Sequence, residues 1–312
     1  MKPAPLTFTP LFQERVWGGR RLEQAFGKPL PADAAIGEAW EIVDRQDAQS
    51  VVASGALAGT ELHELWRSDR ERLFGARARQ AGERFPILVK LLDARETLSI
   101  QVHPPPSRVA ELGGEPKTEL WYVARAQPGA HLFAGLRAGV DEDRLAAAMQ
   151  SGADVSKLLH RIDVEIGDVL LIPSGRVHSL GAGCLVVEIQ QNSDTTFRVF
   201  DFDRRGPDGE PRELHVPESL ACIDFGDVEP TLHPPGDAVL ASDEHFRVTR
   251  RTIAAPERVT AQGECAIVCV LAGEAHCGGE RFGPGSFFLV PADAGDGLPV
   301  GGPAEVLVTE LP

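Results

Sequence analysis

Gly167-Asp-Val-Leu-Leu-Ile-Pro-Ser-Gly-Arg-Val-His178 is the stretch on which the fold turns. Its apolar run, Asp168 to Ile172, has the length of a buried β-strand, and Pro173-x-Gly175 is a turn that brings His178 back toward the interior. A histidine fixed on a rigid turn at the mouth of a barrel is what a metal site requires, because the ring nitrogen must be placed within a fraction of an ångström. A hairpin turn with an incidental histidine would look the same from this segment alone, so its neighbours decide. The frame of a glycine, five residues and a proline recurs at Gly285-Ser-Phe-Phe-Leu-Val-Pro291. In the echo Asp293 stands where Gly175 stood, and Gly295 to Gly297 supply no histidine. The second copy is expected to repeat the architecture without the metal site.

Working outward, Phe85 to Pro104 reads as two strands joined around Asp93-Ala94-Arg95-Glu96. In the second strand Ser99, Gln101 and His103 share one face, and Leu98, Ile100 and Val102 share the other. A strand that is polar on one side and apolar on the other fits a wall between a cavity and a core. Lys117 to Val123 is a further strand, with Lys117, Glu119 and Trp121 on one face. Leu185 to Arg198 reads as a strand carrying Glu188 and Gln190, a polar loop, and a return strand bearing Arg198. Two helices stand out. Thr60 has the chemistry of an N-cap for a helix whose Leu62, Leu65, Trp66 and Leu73 face a sheet, and Asp141 caps a helix running to Met149. Residues 1–205 are expected to form one lobe, 206–239 a connection rich in proline and charge, and 240–312 a second lobe.

The composition agrees with a chain made of strands. Among 312 residues there are 32 glycines and 24 prolines, and short runs of Val, Ile and Thr are cut by them, which is the pattern of an all-β-dominated protein with a few peripheral helices. A formal charge of -15 with only 31 basic residues opposes nucleic acid and anionic membranes as partners. An anionic substrate would therefore need a local basic cluster. No apolar run approaches the ~20 residues of a membrane span, and Met1-Lys2-Pro3-Ala4-Pro5 lacks the apolar segment of a signal peptide, so a cytoplasmic location is expected. Cys184, Cys222, Cys265, Cys269 and Cys277 are odd in number and lack CxxC spacing, so they read as small core residues.

His178 together with Gln101, His103 and Glu119 is a set of N and O donors on neighbouring strands. Two imidazoles and a carboxylate suit zinc or another divalent metal and leave a position open for water or substrate, which is the arrangement of catalysis. The frame Gly167 to His178 resembles the second conserved motif of the cupins, and Gln101-x-His103 with Glu119 looks like a split version of the first. More narrowly, four segments resemble the type I mannose-6-phosphate isomerases in their short bacterial form: Leu98-Ser-Ile-Gln-Val-His-Pro104, Lys117-Thr-Glu-Leu-Trp121, Ile172-Pro-Ser-Gly-x-x-His178 and Ser193-Asp-Thr-Thr-Phe-Arg198.

The resemblance implies two cupin-type jelly-roll lobes, the second degenerate, and an aldose-ketose isomerase interconverting mannose 6-phosphate and fructose 6-phosphate. It implies one zinc ion per chain, or another divalent metal, held by Gln101, His103, Glu119 and His178, with Arg198 as the active-site arginine. Lys90, Ser99 and Lys117, with Arg198, are the cations and hydroxyl nearest the expected metal face and the expected donors to a sugar phosphate. Glu188, Asp194, Lys117 and a metal-bound water all remain open as the group that moves the proton. Gly113-Gly114-Glu115-Pro116 departs from the family pattern, which has glycine directly before the lysine. A sugar-phosphate-binding regulatory cupin without turnover is the alternative of a different class. A cupin dioxygenase fits the Lys117 and Arg198 complement less well.

Overall fold

Strands dominate because most apolar residues alternate with polar ones or with a second apolar set, at a period that only a sheet can satisfy. A computed structural model of the chain describes residues 4–206, 209–236, 238–294 and 298–312. The first strands are β1 (Leu11–Gly19), β2 (Ile36–Ile42), β3 (Ile87–Asp93), β4 (Ile100–Val102), β5 (Glu119–Ala126) and β6 (His131–Leu136). They are followed by β7 (Leu159–Asp163), β8 (Val169–Ile172), β9 (His178–Leu180), β10 (Cys184–Gln191) and β11 (Phe197–Phe200). Among the described residues they form a six-stranded sheet, β1-β2-β3-β10-β5-β8, and a five-stranded sheet, β11-β4-β9-β6-β7. Leu92, Trp121, Val123, Val186 and Leu170 of the first meet Leu132, Ala134 and Leu180 of the second in one core, so the two sheets face each other.

The register decides which side chains enter the space between them. In β10 Val186, Glu188 and Gln190 point inward, while Leu185, Val187 and Ile189 belong to a different core on the outer face. β3 and β5 divide in the same way, with Lys90, Glu119 and Trp121 inward and Val89, Leu91, Leu120 and Tyr122 outward. The inner space is thus apolar at one end and polar at the other.

The outer face of the six-stranded sheet is covered by the C-terminal part of the chain. That part contributes β12 (Val239–Ser242), β13 (Arg247–Ile253), β14 (Ala266–Gly273), β15 (Ala275–Cys277), β16 (Glu280–Phe282), β17 (Phe287–Val290) and β18 (Ala304–Glu310). Five of these form the sheet β12-β13-β18-β14-β17, whose Ile267, Cys269, Leu271, Phe287, Leu289 and Leu307 pack with Leu120, Tyr122, Leu185 and Val187. The same core takes in Leu62, Leu65, Trp66 and Leu73. β8 and β17 start alike: Gly167 at φ +96° and Gly285 at φ +77° each precede their strand by two residues. The echo is therefore structural up to Pro291; its last part, Gly295 to Gly297, lies outside the described residues, as do Met1 to Pro3 and Pro207-Asp208.

Several expectations need correction. Glu61, not Thr60, is the N-cap of the helix Leu62–Ser68, and it makes no side-chain cap bond. Leu73 lies in a separate helix, Arg70–Phe74, because the chain leaves helical geometry at Asp69. Leu98 precedes the short β4 and packs inward with Trp17 and Trp121, whereas Ile100 and Val102 pack outward beneath the helices. Within 206–239, the helix Val216–Cys222 contributes Cys222 to the core outside β4. Asp141 caps Glu142–Ser151 by accepting from the Arg144 amide at 2.9 Å, as expected. All five cysteines are buried and unpaired, and burial pushes the Cys184 thiol up to about 11. No helix among the described residues is long and apolar enough to cross a membrane.

Candidate metal centre

His103, Glu119 and His178 come from three places in the sequence and meet because β5 lies in one sheet while β4 and β9 are neighbours in the other. Their ligand atoms all lie within 4.8 Å of one another, and all three residues are buried. His178 Nε2 is 3.3 Å from Glu119 Oε1, and His103 Nε2 is 3.6 Å from Glu119 Oε2. Gln101 pairs with His178 across β4 and β9, and its amide donates to His178 Nε2 at 3.2 Å.

Each imidazole is oriented by its other nitrogen. His103 Nδ1 donates to the Thr195 carbonyl and His178 Nδ1 to the Arg176 carbonyl, both at 2.9 Å. This leaves the Nε2 lone pairs aimed at one another's space, the tautomer a metal ligand needs. Burial and the nearby Lys117 ammonium push the His103 imidazole down to about 3, against the pull of Glu119, so it stays neutral at ordinary pH. Burial opposes charge on Glu119, but the Lys117 ammonium beside it outweighs burial and holds the carboxyl well below its usual range. His103 Nε2 and both Glu119 oxygens lack a hydrogen-bond partner among the described residues, although Lys117 Nζ stands 2.7 Å from Oε2 as an ion pair. Unpartnered atoms this deep cost stability unless something binds them, so the donor set fits a divalent cation.

The loop before Lys117 supports the same geometry. Gly114, at φ +81°, lies so close to Thr195 that an added Cβ would stand 2.5 Å from its Cγ2, and the Glu115 amide donates to Thr195 Oγ1 at 2.9 Å. Because Thr195 also holds His103, Gly114→Ala is expected to weaken metal retention by about 10- to 100-fold, the usual cost of disturbing an outer-shell partner. Metal titration of the purified variant checks this, and unchanged affinity would refute it.

Beside the cluster opens a cavity of about 330 Å³ whose lining includes Lys90, Ser99, Gln101, Lys117, Glu188 and Arg198. Lys90 reaches it with its charge shared among Glu188 at 3.4 Å, Glu38 at 3.7 Å and Asp194 at 3.9 Å. Glu188 accepts from Trp121 Nε1 at 2.9 Å through Oε1, and its Oε2 has no hydrogen-bond partner among the described residues. Burial raises the Glu188 carboxyl despite the two lysines beside it. Arg198 pairs with Gln101 in the β4–β11 register, its Nη1 donates to the Glu213 carbonyl at 2.6 Å, and burial lowers it.

Arg15, Trp17, Glu38, Thr196 and Arg212 also line this cavity and were not singled out in the sequence. Arg15 and Glu38 are joined at 2.8 Å across β1 and β2, a charged pair placed on inward-facing positions. That opposition of charges on adjacent strands was the available signal. Arg212 sits in a loop with no periodicity and offered none.

Comparison with known proteins agrees with this geometry. The family model of the phosphomannose isomerase type I catalytic domain matches residues 6–122. The chain is 36% identical to mannose-6-phosphate isomerase ManA of Bacillus subtilis (strain 168) over 324 aligned residues, which span 100% of both chains. It is 36% identical to the mannose-6-phosphate isomerase of Streptococcus mutans over 279 residues, covering 86% of this chain and 85% of that one. The crystal structure of the Bacillus subtilis mannose 6-phosphate isomerase superposes with a TM-score of 0.86 at 33% identity, covering 99% of this chain and 100% of the other. A donor set in this arrangement, inside a chain alike from end to end to these isomerases, places the protein in the type I phosphomannose isomerase family.

Proposed function

We infer that this isomerase interconverts D-mannose 6-phosphate and D-fructose 6-phosphate with one zinc ion, and that its two facing N-terminal sheets are a cupin-type jelly roll. In this reading residues 1–205 carry the chemistry, 206–239 connect, and 240–312 are a second cupin-type lobe without a metal site. The observation that carries it is the buried His103, Glu119 and His178 cluster with unpartnered ligand atoms, opening on a cavity with cationic walls. Gln101, His103, Glu119 and His178 would hold the zinc, Gln101 after its amide turns its oxygen inward. Zinc bound there would supply Lewis-acid polarisation of the sugar oxygens.

The residues of the chain do the rest. Glu188 would take the proton from C2 of the open-chain aldose through its Oε2, the oxygen 3.4 Å from Lys90 Nζ, and return it to C1; in the enediolate between the two steps the hydroxyl proton passes from O2 to O1, so that the C1 carbonyl becomes a hydroxyl and the C2 hydroxyl a carbonyl. A carboxyl raised by burial is suited to both halves of that exchange. Arg198 and Lys117, which line the cavity, would stabilise the negative charge that develops on the sugar oxygens. Lys90, Ser99 and Lys117 line the cavity and offer cationic and hydroxyl donors to the phosphate. A local cationic lining is what an anionic substrate needs in a chain of charge -15.

The direct test is a coupled assay of mannose 6-phosphate turnover with the metal-loaded protein, before and after chelation. Turnover should disappear on chelation and return with zinc. A metal-loaded protein that binds the sugar phosphate and forms no product would instead support a regulatory cupin.

A further inference from the structure

Arg176 lies inside the segment on which the metal centre depends, yet neither the donor set nor the cavity beside it includes this side chain. It stands in the turn between β8 and β9, just before Val177 and His178. Its carbonyl accepts from His178 Nδ1 at 2.9 Å, so the place of that carbonyl decides where the opposite ring nitrogen points. The turn also touches the other histidine: the Gly175 amide donates to the His103 carbonyl at 2.9 Å. One short turn is thereby bonded to both imidazole residues of the cluster.

The Arg176 guanidinium is engaged through all of its nitrogens. Nη1 donates to the Leu171 carbonyl at 2.6 Å and closes the turn on the end of β8. Nε and Nη2 donate to the two carboxylate oxygens of Asp227 at 2.8 and 2.7 Å, and the two side chains are only 14% and 16% exposed. Such a paired fork fixes orientation as well as supplying attraction, and burial protects it from screening. Asp227 belongs to the 206–239 segment, which its own backbone fastens to the site. The Asp224 amide donates to the Gly175 carbonyl at 2.9 Å, the Leu136 amide to the Asp227 carbonyl at 3.0 Å, and the Glu229 amide to the Leu136 carbonyl at 2.9 Å. Leu136 ends β6, the strand whose Ala134 pairs with His178. The fit is close at Gly175, which sits at φ +89° and where a Cβ would stand 3.2 Å from the Cys222 carbonyl oxygen.

The geometry points to Arg176 and Asp227 as positioning residues of the metal centre: the pair locks the turn, and the Arg176 carbonyl then holds the His178 ring in the tautomer and direction that present Nε2 to the metal. The assignment rests on the zinc reading above and deepens it, giving the 206–239 segment a part in the site. Neither residue touches the ion or the sugar. Both act through the His178 ring, as the partners behind metal-bound histidines do.

The test is zinc affinity, measured by competition with a chromophoric chelator, for wild type, D227A, R176M and the double variant. Each single variant should bind zinc about 10-fold more weakly, the lower end of what loss of a partner behind a metal-bound histidine costs, because the pair acts through one further bond. The double variant should lose no more than the worse single one, since either change opens the same lock. R176K, which keeps the charge and loses the fork, should fall between wild type and R176M. Thermal unfolding of the metal-free proteins separates this from a merely structural role. A pair that only joins the segment to the turn would lower the melting temperature and leave zinc affinity unchanged, and that result overturns the proposal, as do losses that add in the double variant. If D227A and R176M do not fold, D227N and R176K carry the same comparison. If wild type binds no zinc, the zinc reading fails, and NMR of the His178 ring nitrogens in the metal-free protein decides on the pair: loss of the Nδ1–H tautomer in the variants supports it, and its retention overturns it.

Discussion

His103→Ala should leave a folded protein that no longer retains zinc and no longer isomerises the sugar phosphate. His103 is buried, its Nε2 is unpartnered and its Nδ1 is tied to Thr195, so no other side chain can take its place without moving the strand. Zinc affinity should fall by more than the roughly 10- to 100-fold that loss of an outer-shell partner costs. The metal-free variant loses one hydrogen bond to a carbonyl, about 1–3 kcal/mol if that carbonyl stays dry. Metal analysis after dialysis and thermal unfolding with and without added zinc separate the two effects. Wild type should gain stability on zinc addition and the variant should not. A variant that keeps a stoichiometric zinc would remove His103 from the ligand set.

Lys117→Met should be nearly as damaging, for an electrostatic reason. Lys117 Nζ is buried 2.7 Å from Glu119, and Glu188 is near enough to act on it. Burial opposes its charge, but Glu119 and Glu188 outweigh burial and raise the lysine above its usual value, so it is an ammonium throughout the working range. Removing it leaves buried carboxylates without their counter-charge, which costs about 3–5 kcal/mol in the metal-free protein. At roughly 2–4 °C per kcal/mol for a chain of this size, the melting temperature should drop by about 6–20 °C. Bound zinc should restore part of that loss, because it compensates Glu119 directly. Activity should fall about 100-fold or more even with zinc present, as expected when a charge facing a developing oxyanion is removed. A metal-free variant as stable as wild type would show that Glu119 and Glu188 do not need the lysine.

The raised Lys117 also sets a pH window. A lysine whose folded value lies above its unfolded value stabilises the fold fully below about 10.4, and the contribution is lost only at higher pH. Glu119 is depressed, so its contribution is present above about 4.3 and lost in acid. Between these limits the penalty for Lys117→Met should be flat.

Much of the site was legible in the sequence because its signals are local. Gly167 at positive φ, the turn before His178, and the polar alternation of Gln101 and His103 each follow from a few neighbouring residues. The same holds for the Asp141 cap and the buried cysteines. Expectations failed where a boundary depended on packing. Leu98 belongs with Trp17 inside the sheets, not with Ile100, because β4 is only three residues long and the chain turns before it. Thr60 lost the cap position to Glu61 against the local preference for threonine, because its amide and carbonyl are taken by Leu57 and Val52 and the chain stays paired with Val51 through Glu61.

Residue order by itself determined the strand-rich character of the chain and the repeated glycine-to-proline frame, and it singled out Gln101, His103, Glu119 and His178 as donors on separate strands, since side-chain period and turn chemistry act over a few residues. Tertiary structure decided which faces meet. It sandwiched the six-stranded sheet between its partner and the C-terminal sheet, paired off the lysines on one wall, and left Arg198 and Arg212 on the other. Charge balance and burial depend on residues brought together from distant parts of the chain, and no local pattern carries that information.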